Sequence, residues 1–345
     1  MNVLVLVPFK EQHMQRIREA AGDGATVVQM DEYREGKSVT KVSEPKPHAP
    51  RRPGEEAPVD PLTEAVEKAD VIIGEPHPRL LYQKDDLPLK WLQMTWAGAD
   101  LYTRNQRYTF PEGVMLTNVA GSAYGHTISQ YVVGQILAVT QNLAAYARQQ
   151  ATKAWNDLGP VMSLEGATVL VFGAGDIGSH VARRLSGFDV ARIVGVCRDT
   201  ARPREGFDEL ISLPRAESYL SEADIVVGCI PDESDTAGYF GYRRLKLMKP
   251  GSVLVNVGRG NFVDCDALDR VLGEEHLRGA VLDVTNPEPL PIKHPLWRNP
   301  RCVLTPHISG GAFGHSDGTE ERICQVVCDN LRRYVAGEEL AHRVI

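Results

Sequence analysis

Three polar residues stand just beyond apolar segments of this chain. Arg259 follows Val253-Leu254-Val255-Asn256-Val257-Gly258, Glu288 lies in DVTNPEPL, and His307 lies in TPHISGG. An arginine can fork onto a carboxylate and stabilise charge developing on oxygen. Histidine titrates near neutral pH, so it can give or take a proton. A carboxylate hydrogen-bonded to the other ring nitrogen would favour the imidazolium. Together these groups suit reduction of a carbonyl beside a carboxylate, given a hydride source. Taken singly, they also read as a solvated arginine, a loop acid and a capping histidine.

The candidate hydride source is encoded at Val169-Leu170-Val171-Phe172-Gly173-Ala174-Gly175-Asp176-Ile177-Gly178. An apolar run ends in G-x-G-x-x-G and an amphipathic segment follows, the strand–turn–helix context of a dinucleotide site. Gly173 permits the tight turn, Gly175 lets backbone approach a pyrophosphate, and Gly178 lets helix and strand pack closely. The helix N-terminus offers free N–H groups to phosphates.

One strand later, Ile193-Val194-Gly195-Val196 runs into Cys197-Arg198-Asp199. An acid at the strand end would bind the ribose of NAD, whereas an arginine would pair with the 2′-phosphate of NADP. Cys197 occupies the acid's place and Arg198 follows, with Arg202 and Arg204 close by, which favours NADP. Asp199, two residues on, keeps NAD open. Cys229-Ile230-Pro231 is a candidate adenosine-side wall.

Alternating strand-like and helix-like segments must position these groups, and the alternation predicts parallel sheets covered by helices. Strands are expected at Val3–Val7, Ala25–Met30, Val71–Gly74, Trp91–Thr95 and Met115–Asn118. Helices are expected near 11–21 and 62–68, and one long helix near 127–148. A second block starts near Ala167 and continues with strands at 192–197, 225–230, 253–257, 280–284 and 303–305. Those six strands suit a doubly wound dinucleotide domain, with ligands outside the strands' carboxyl ends. A last helix, about 320–336, could pack back on the first domain. Residues 31–61 are rich in Pro, Glu, Lys and Arg, and read as a solvated excursion.

At 345 residues the chain should hold about two domains. Its 43% apolar and 24% charged content is ordinary for a globular protein. A net charge of −7 argues against a nucleic-acid partner. No apolar run approaches a membrane span, and the opening residues lack the flanks of a signal peptide. Six cysteines without C-x-x-C spacing suggest a reduced, cytoplasmic protein with no metal site.

These motifs, with Ala97-Gly98-Ala99-Asp100, make the chain resemble the D-isomer-specific 2-hydroxyacid dehydrogenases, which include glyoxylate/hydroxypyruvate reductases. The resemblance covers most of the chain outside 31–61. It implies an α/β protein of two doubly wound parallel-sheet domains, a Rossmann dinucleotide-binding domain and a flavodoxin-like substrate domain, with an interdomain cleft. Residues 1–119, completed by 315–345, would be the substrate domain, and 120–314 the dinucleotide domain. By resemblance Arg259 binds substrate, Glu288 partners the histidine and His307 is the general acid/base. Asp283 would meet the nicotinamide carboxamide, and the backbone of Trp96, Ala97, Gly98 and Ala99 would hold the substrate carboxylate. Thr236, Val257, Gly258 and Gly310, together with Arg259 and His307, complete the expected NADP or NAD contacts.

The implied activity is hydride transfer between NAD(P)H and a small 2-keto acid to give a D-2-hydroxy acid. A homodimer is implied through the long helix near 127–148. Thr285 and Asn286 depart from the aromatic and acid common in the family, and Trp96 is bulky where a small residue is usual. Alternative readings are a corepressor-like or dinucleotide-sensing binding protein, and a phosphite- or formate-type dehydrogenase.

Overall fold

Apolar runs buried on both faces, such as Val71–Ile73 and Val253–Val255, suit central strands of parallel sheets. The computed structural model describes residues 1–30, 60–82, 87–105, 107–121 and 123–345. All but the last two residues of the expected 31–61 excursion lie outside those described. Every pairing between the strands named below is parallel.

The chain divides into two units, Met1–Ala123 with Gly311–Ile345, and Tyr124–Gly310. The first begins with β1 (Asn2–Val5), α1 (Glu11–Ala21), β2 (Thr26–Gln29), α2 (Pro61–Glu67) and β3 (Val71–Ile73). It continues with α3 (Pro78–Tyr82), β4 (Trp91–Gln93), α4 (Asp100–Thr103) and β5 (Met115–Thr117). Asp60 caps α2 by accepting from Thr63 N at 3.2 Å, and Pro61 fills the first turn, where its missing N–H costs nothing. The sheet order β2-β1-β3-β4-β5 is flavodoxin-like.

The second unit opens with α5 (Gly125–Thr140) and α6 (Leu143–Ala151), followed by β6 (Thr168–Phe172), α7 (Asp176–Leu185), β7 (Arg192–Val196) and β8 (Glu209–Ile211). Then come α8 (Leu213–Ala216), β9 (Ile225–Gly228), α9 (Tyr242–Leu247), β10 (Val253–Asn256), α10 (Cys265–Gly273), β11 (Gly279–Leu282) and β12 (Cys302–Leu304). Its sheet runs β12-β11-β10-β9-β6-β7-β8, the doubly wound dinucleotide order with a seventh strand. The chain returns to the first unit through α11 (Asp317–Ala336).

Two expectations are corrected. The dinucleotide sheet has seven strands, because Glu209–Ile211 adds an edge strand too short to show periodicity. The long helix near 127–148 is two helices, broken where Asn142 adopts φ 57°. Asparagine tolerates this left-handed conformation. Arg278 Nη2 fills the break by donating to Thr140 O at 3.0 Å, Asn142 Oδ1 at 3.2 Å and Pro160 O at 3.1 Å. No helix of the described residues is long and apolar enough to cross a membrane.

Candidate active site

Register places the expected site on one edge of the second unit. Leu304, Leu282, Asn256, Gly228, Phe172 and Val196 stand in one row across β12, β11, β10, β9, β6 and β7. Gly173, Cys197, Cys229, Val257, Asp283 and Thr305 are the next residues at the carboxyl ends. Arg259, Glu288 and His307 follow from three adjacent strands, β10, β11 and β12.

His307 Nδ1 lies 2.7 Å from Glu288 Oε1. With Nδ1–H donated to the carboxylate, Nε2 is left for proton exchange. Both side chains are about half exposed, at 51% and 43%. His307 adopts φ 55°, and its N–H donates to Asp283 O at 2.9 Å. Asp283 is buried, and its carboxylate accepts from Thr305 Oγ1 at 2.6 Å, Ile308 N at 2.9 Å and Ser309 N at 2.9 Å. Tyr131 OH, 2.6 Å from Thr305 Oγ1, extends the chain of hydroxyls, and burial pushes its phenol up to about 12. The Asp283 side chain therefore braces the loop that carries His307.

Arg259 sits between two glycines that have no room for a side chain. A Cβ on Gly258 would lie 2.6 Å from Ile230 O, and one on Gly260 would lie 2.0 Å from Thr285 O. Asn256, fully buried, accepts from Gly258 N at 3.2 Å and donates to Arg259 O at 2.8 Å. Phe262 anchors the loop's far end, edge-on to Phe172 at 5.2 Å and Phe240 at 5.1 Å. Arg259 Nη1 donates to Gly258 O at 2.9 Å.

The glycine turn fits a dinucleotide. A Cβ on Gly173 (φ 101°) would meet Cys229 O at 2.8 Å, and one on Gly178 would meet Gly173 O at 2.0 Å. Above Gly175 there is open space within 4 Å, where a pyrophosphate would approach. Ile177 is half-buried in the first turn of α7. The Asp176 carboxylate accepts from Gly125 N at 3.1 Å and lies 3.3 Å from His180 Nδ1.

The remaining candidates divide by where their polar atoms go. The Cys197 thiol points to Asp199 O at 3.2 Å, and Asp199 Oδ1 accepts from Ala201 N at 3.2 Å. Arg198 is 87% exposed, with Nη1 3.4 Å from Glu233 Oε1. The Cys229 thiol is turned inwards onto Phe172 O at 3.2 Å, and burial pushes it up to about 12. Of that expected wall, half-buried Ile230 and exposed Pro231 keep side chains free of this inward turn. Thr236 is buried and donates to Glu233 O at 3.1 Å. Val257 is buried, and a Cβ on Gly310 would meet the Tyr124 ring at 3.0 Å.

In the first unit, Trp96, Ala97, Gly98 and Ala99 follow β4 as a half-buried turn. Trp96 packs on that unit's own core. Asn118 Nδ2 donates to Ala97 O at 2.8 Å, and Val119 N donates to Trp96 O at 3.3 Å. Asn256, Gly260, Thr305 and Tyr131 were not singled out from sequence. The available signal was a polar residue or a glycine at the end of an otherwise apolar strand.

The model of the D-isomer specific 2-hydroxyacid dehydrogenase, NAD binding domain, matches residues 133–309. The chain is 32% identical over 238 residues to a glyoxylate reductase of Thermofilum pendens, covering 66% of each protein. It is 30% identical over 229 residues to glyoxylate/hydroxypyruvate reductase A of Serratia proteamaculans, covering 64% of this chain and 71% of that protein. A solved D-isomer specific 2-hydroxyacid dehydrogenase family protein from Aeromonas salmonicida superposes with TM-score 0.79 at 28% identity, over 100% of this chain and 98% of the other. The glycine turn and the rim of three strand ends thus have their explanation in descent: the chain belongs to the D-isomer specific 2-hydroxyacid dehydrogenase family, as an NAD(P)-dependent oxidoreductase.

Proposed function

We propose that this protein reduces a small 2-keto acid of the glyoxylate or hydroxypyruvate kind to a D-2-hydroxy acid, with NADPH preferred over NADH. The observation that carries the reading is the 2.7 Å His307–Glu288 pair on a loop braced by Asp283. Held at the glycine turn and the carboxyl ends of the strands, a nicotinamide dinucleotide would supply the hydride. His307 delivers the proton to the carbonyl oxygen from Nε2 in reduction and removes it in oxidation. Glu288 orients the ring by accepting from Nδ1. Arg259 forks onto substrate oxygen and balances the charge that builds there. Backbone N–H groups at Ala97–Ala99 receive the substrate's carboxylate.

The coenzyme preference rests on Arg198 at the end of β7. Its ion pair with Glu233, at 3.4 Å, is a surface pair of little worth. Asp199, the acid that NAD would need, is engaged by its own loop. Assays with glyoxylate, hydroxypyruvate, pyruvate and bulkier keto acids, each with NADH and NADPH, test the reading. Turnover should be greatest with the small acids and NADPH. Arg198→Ala should penalise NADPH far more than NADH, and an equal penalty would reverse the preference. A protein that oxidises neither coenzyme with any keto acid would return the field to a binding role.

A cytoplasmic homodimer is the form proposed. All six cysteines are unpaired thiols. No residue of α6 is buried, and Leu143, Tyr146, fully exposed Trp155 and Val161 leave apolar side chains that a second copy would cover. Sedimentation should give twice the 38.0 kDa chain mass.

A further inference from the structure

Glu75, in the loop after β3, is a buried carboxyl that the proposed mechanism leaves idle. It is 2% exposed. Its Oε1 accepts from Thr95 N at 2.6 Å and from Trp96 N at 3.1 Å. The Thr95 hydroxyl lies 3.0 Å from both carboxyl oxygens. Burial pushes the carboxyl up to about 7, against the pull of these donors. Beside it, Tyr102 of α4 is fixed by donating to Pro76 O at 2.6 Å.

These bonds, with Asn118 on Ala97 O and Val119 N on Trp96 O, clamp four backbone groups of the segment Thr95–Ala97. Among the described residues none accepts from the N–H groups of Ala97 and Gly98. A segment clamped on one side, with unspent donors beyond the clamp, is suited to an anion.

We propose that Glu75 is a positioning residue for substrate: its side chain fixes the backbone at Thr95 and Trp96 so that the N–H groups of Ala97 and Gly98 stay available to the keto acid's carboxylate. This rests on the proposed 2-keto-acid reduction. Removing the clamp weakens substrate capture and leaves the chemistry of His307 intact. Glutamine keeps a side-chain oxygen for both N–H donors and offers its NH2 to the Thr95 hydroxyl. An uncharged isostere therefore suffices.

Steady-state kinetics of the intact enzyme with glyoxylate and NADPH test this, with calorimetric binding of oxalate as an unreactive probe. Glu75→Ala should raise the KM for glyoxylate roughly 10- to 100-fold with kcat within about fivefold. Glu75→Gln should restore KM to within about threefold, and NADPH affinity should be unchanged in both. If Glu75→Ala does not fold, Glu75→Asp replaces it, its shorter side chain failing to span the same donors. A wild-type KM in the alanine or aspartate variant, a loss confined to kcat, or a glutamine variant as impaired as alanine would overturn the proposal. Should the wild type turn over no keto acid, the functional reading fails by itself. Oxalate binding lost in Glu75→Ala and kept in Glu75→Gln would still uphold the positioning role, and equal binding by all three proteins would end it.

Discussion

His307 is held in a backbone conformation that a non-glycine residue enters at a cost of about 1 kcal/mol or more. Asp283 offsets that cost by accepting three hydrogen bonds from Thr305, Ile308 and Ser309, and by lending its own carbonyl to His307 N. An asparagine there presents an NH2 to at least one of those donors. Asp283→Asn should therefore lower kcat roughly 10- to 100-fold, with NADPH affinity nearly unchanged. Wild-type turnover in that variant would remove the brace from the mechanism. At Glu75 the same scale governs stability. Burial pushes its folded carboxyl up to about 7, above the ordinary glutamate range, so the native state binds the proton more tightly. The contribution is fully present below the unfolded value and is lost as pH rises through about 7, by roughly 3 kcal/mol at about 1.4 kcal/mol per unit. Denaturant midpoints at pH 5 and pH 8 should converge in Glu75→Gln, and an unchanged pH slope would show that Glu75 does not supply it.

Elements deliver these residues through close backbone approaches more than through side-chain contacts. The loop after β10 passes so near Thr285 that a methyl on Gly260 would fall 2.0 Å from a carbonyl oxygen. Gly260→Ala should either cost about 2–4 kcal/mol or shift the loop. A shifted Arg259 would raise the KM for keto acid, measured beside the melting temperature. A variant normal in both would mean that the loop yields freely. Much of this placement was legible in the sequence. The glycine turn, the apolar strands and the residues after β10, β11 and β12 are local patterns with fixed periods. What stayed hidden depends on long-range partners. The donors that make Asp283 a brace lie more than twenty residues away. Asn142 interrupts a helix whose apolar spacing runs straight across it, and the arginine that stabilises the break comes from position 278. β8 spans three residues, fewer than any periodicity needs.

At the scale of the whole chain, the first unit is completed only when α11 returns to α1, across about 300 residues. The joint is a buried pair: His13 and Glu320 are 2% and 1% exposed, with Nδ1 and Oε1 2.7 Å apart. Lys10 N also donates to Glu320, and Phe9 meets Phe313 edge-on at 4.9 Å. Beyond it lies the more exposed fork of Arg16 on Glu321 at 2.7 and 2.8 Å. Desolvation separates the two in worth. His13→Leu strands a buried carboxylate and should cost about 3–5 kcal/mol, whereas Arg16→Ala should cost under about 1 kcal/mol. Replacing both buried partners by apolar residues, His13→Leu with Glu320→Met, removes the stranded charge and should recover part of the loss. Urea unfolding of the wild type, both single variants and the double variant gives the coupling directly. NADPH binding should survive in all of them, since the glycine turn belongs to the second unit. Additive single losses, or an Arg16→Ala penalty equal to that of His13→Leu, would mean that α11 is retained by its apolar face and not by the buried pair.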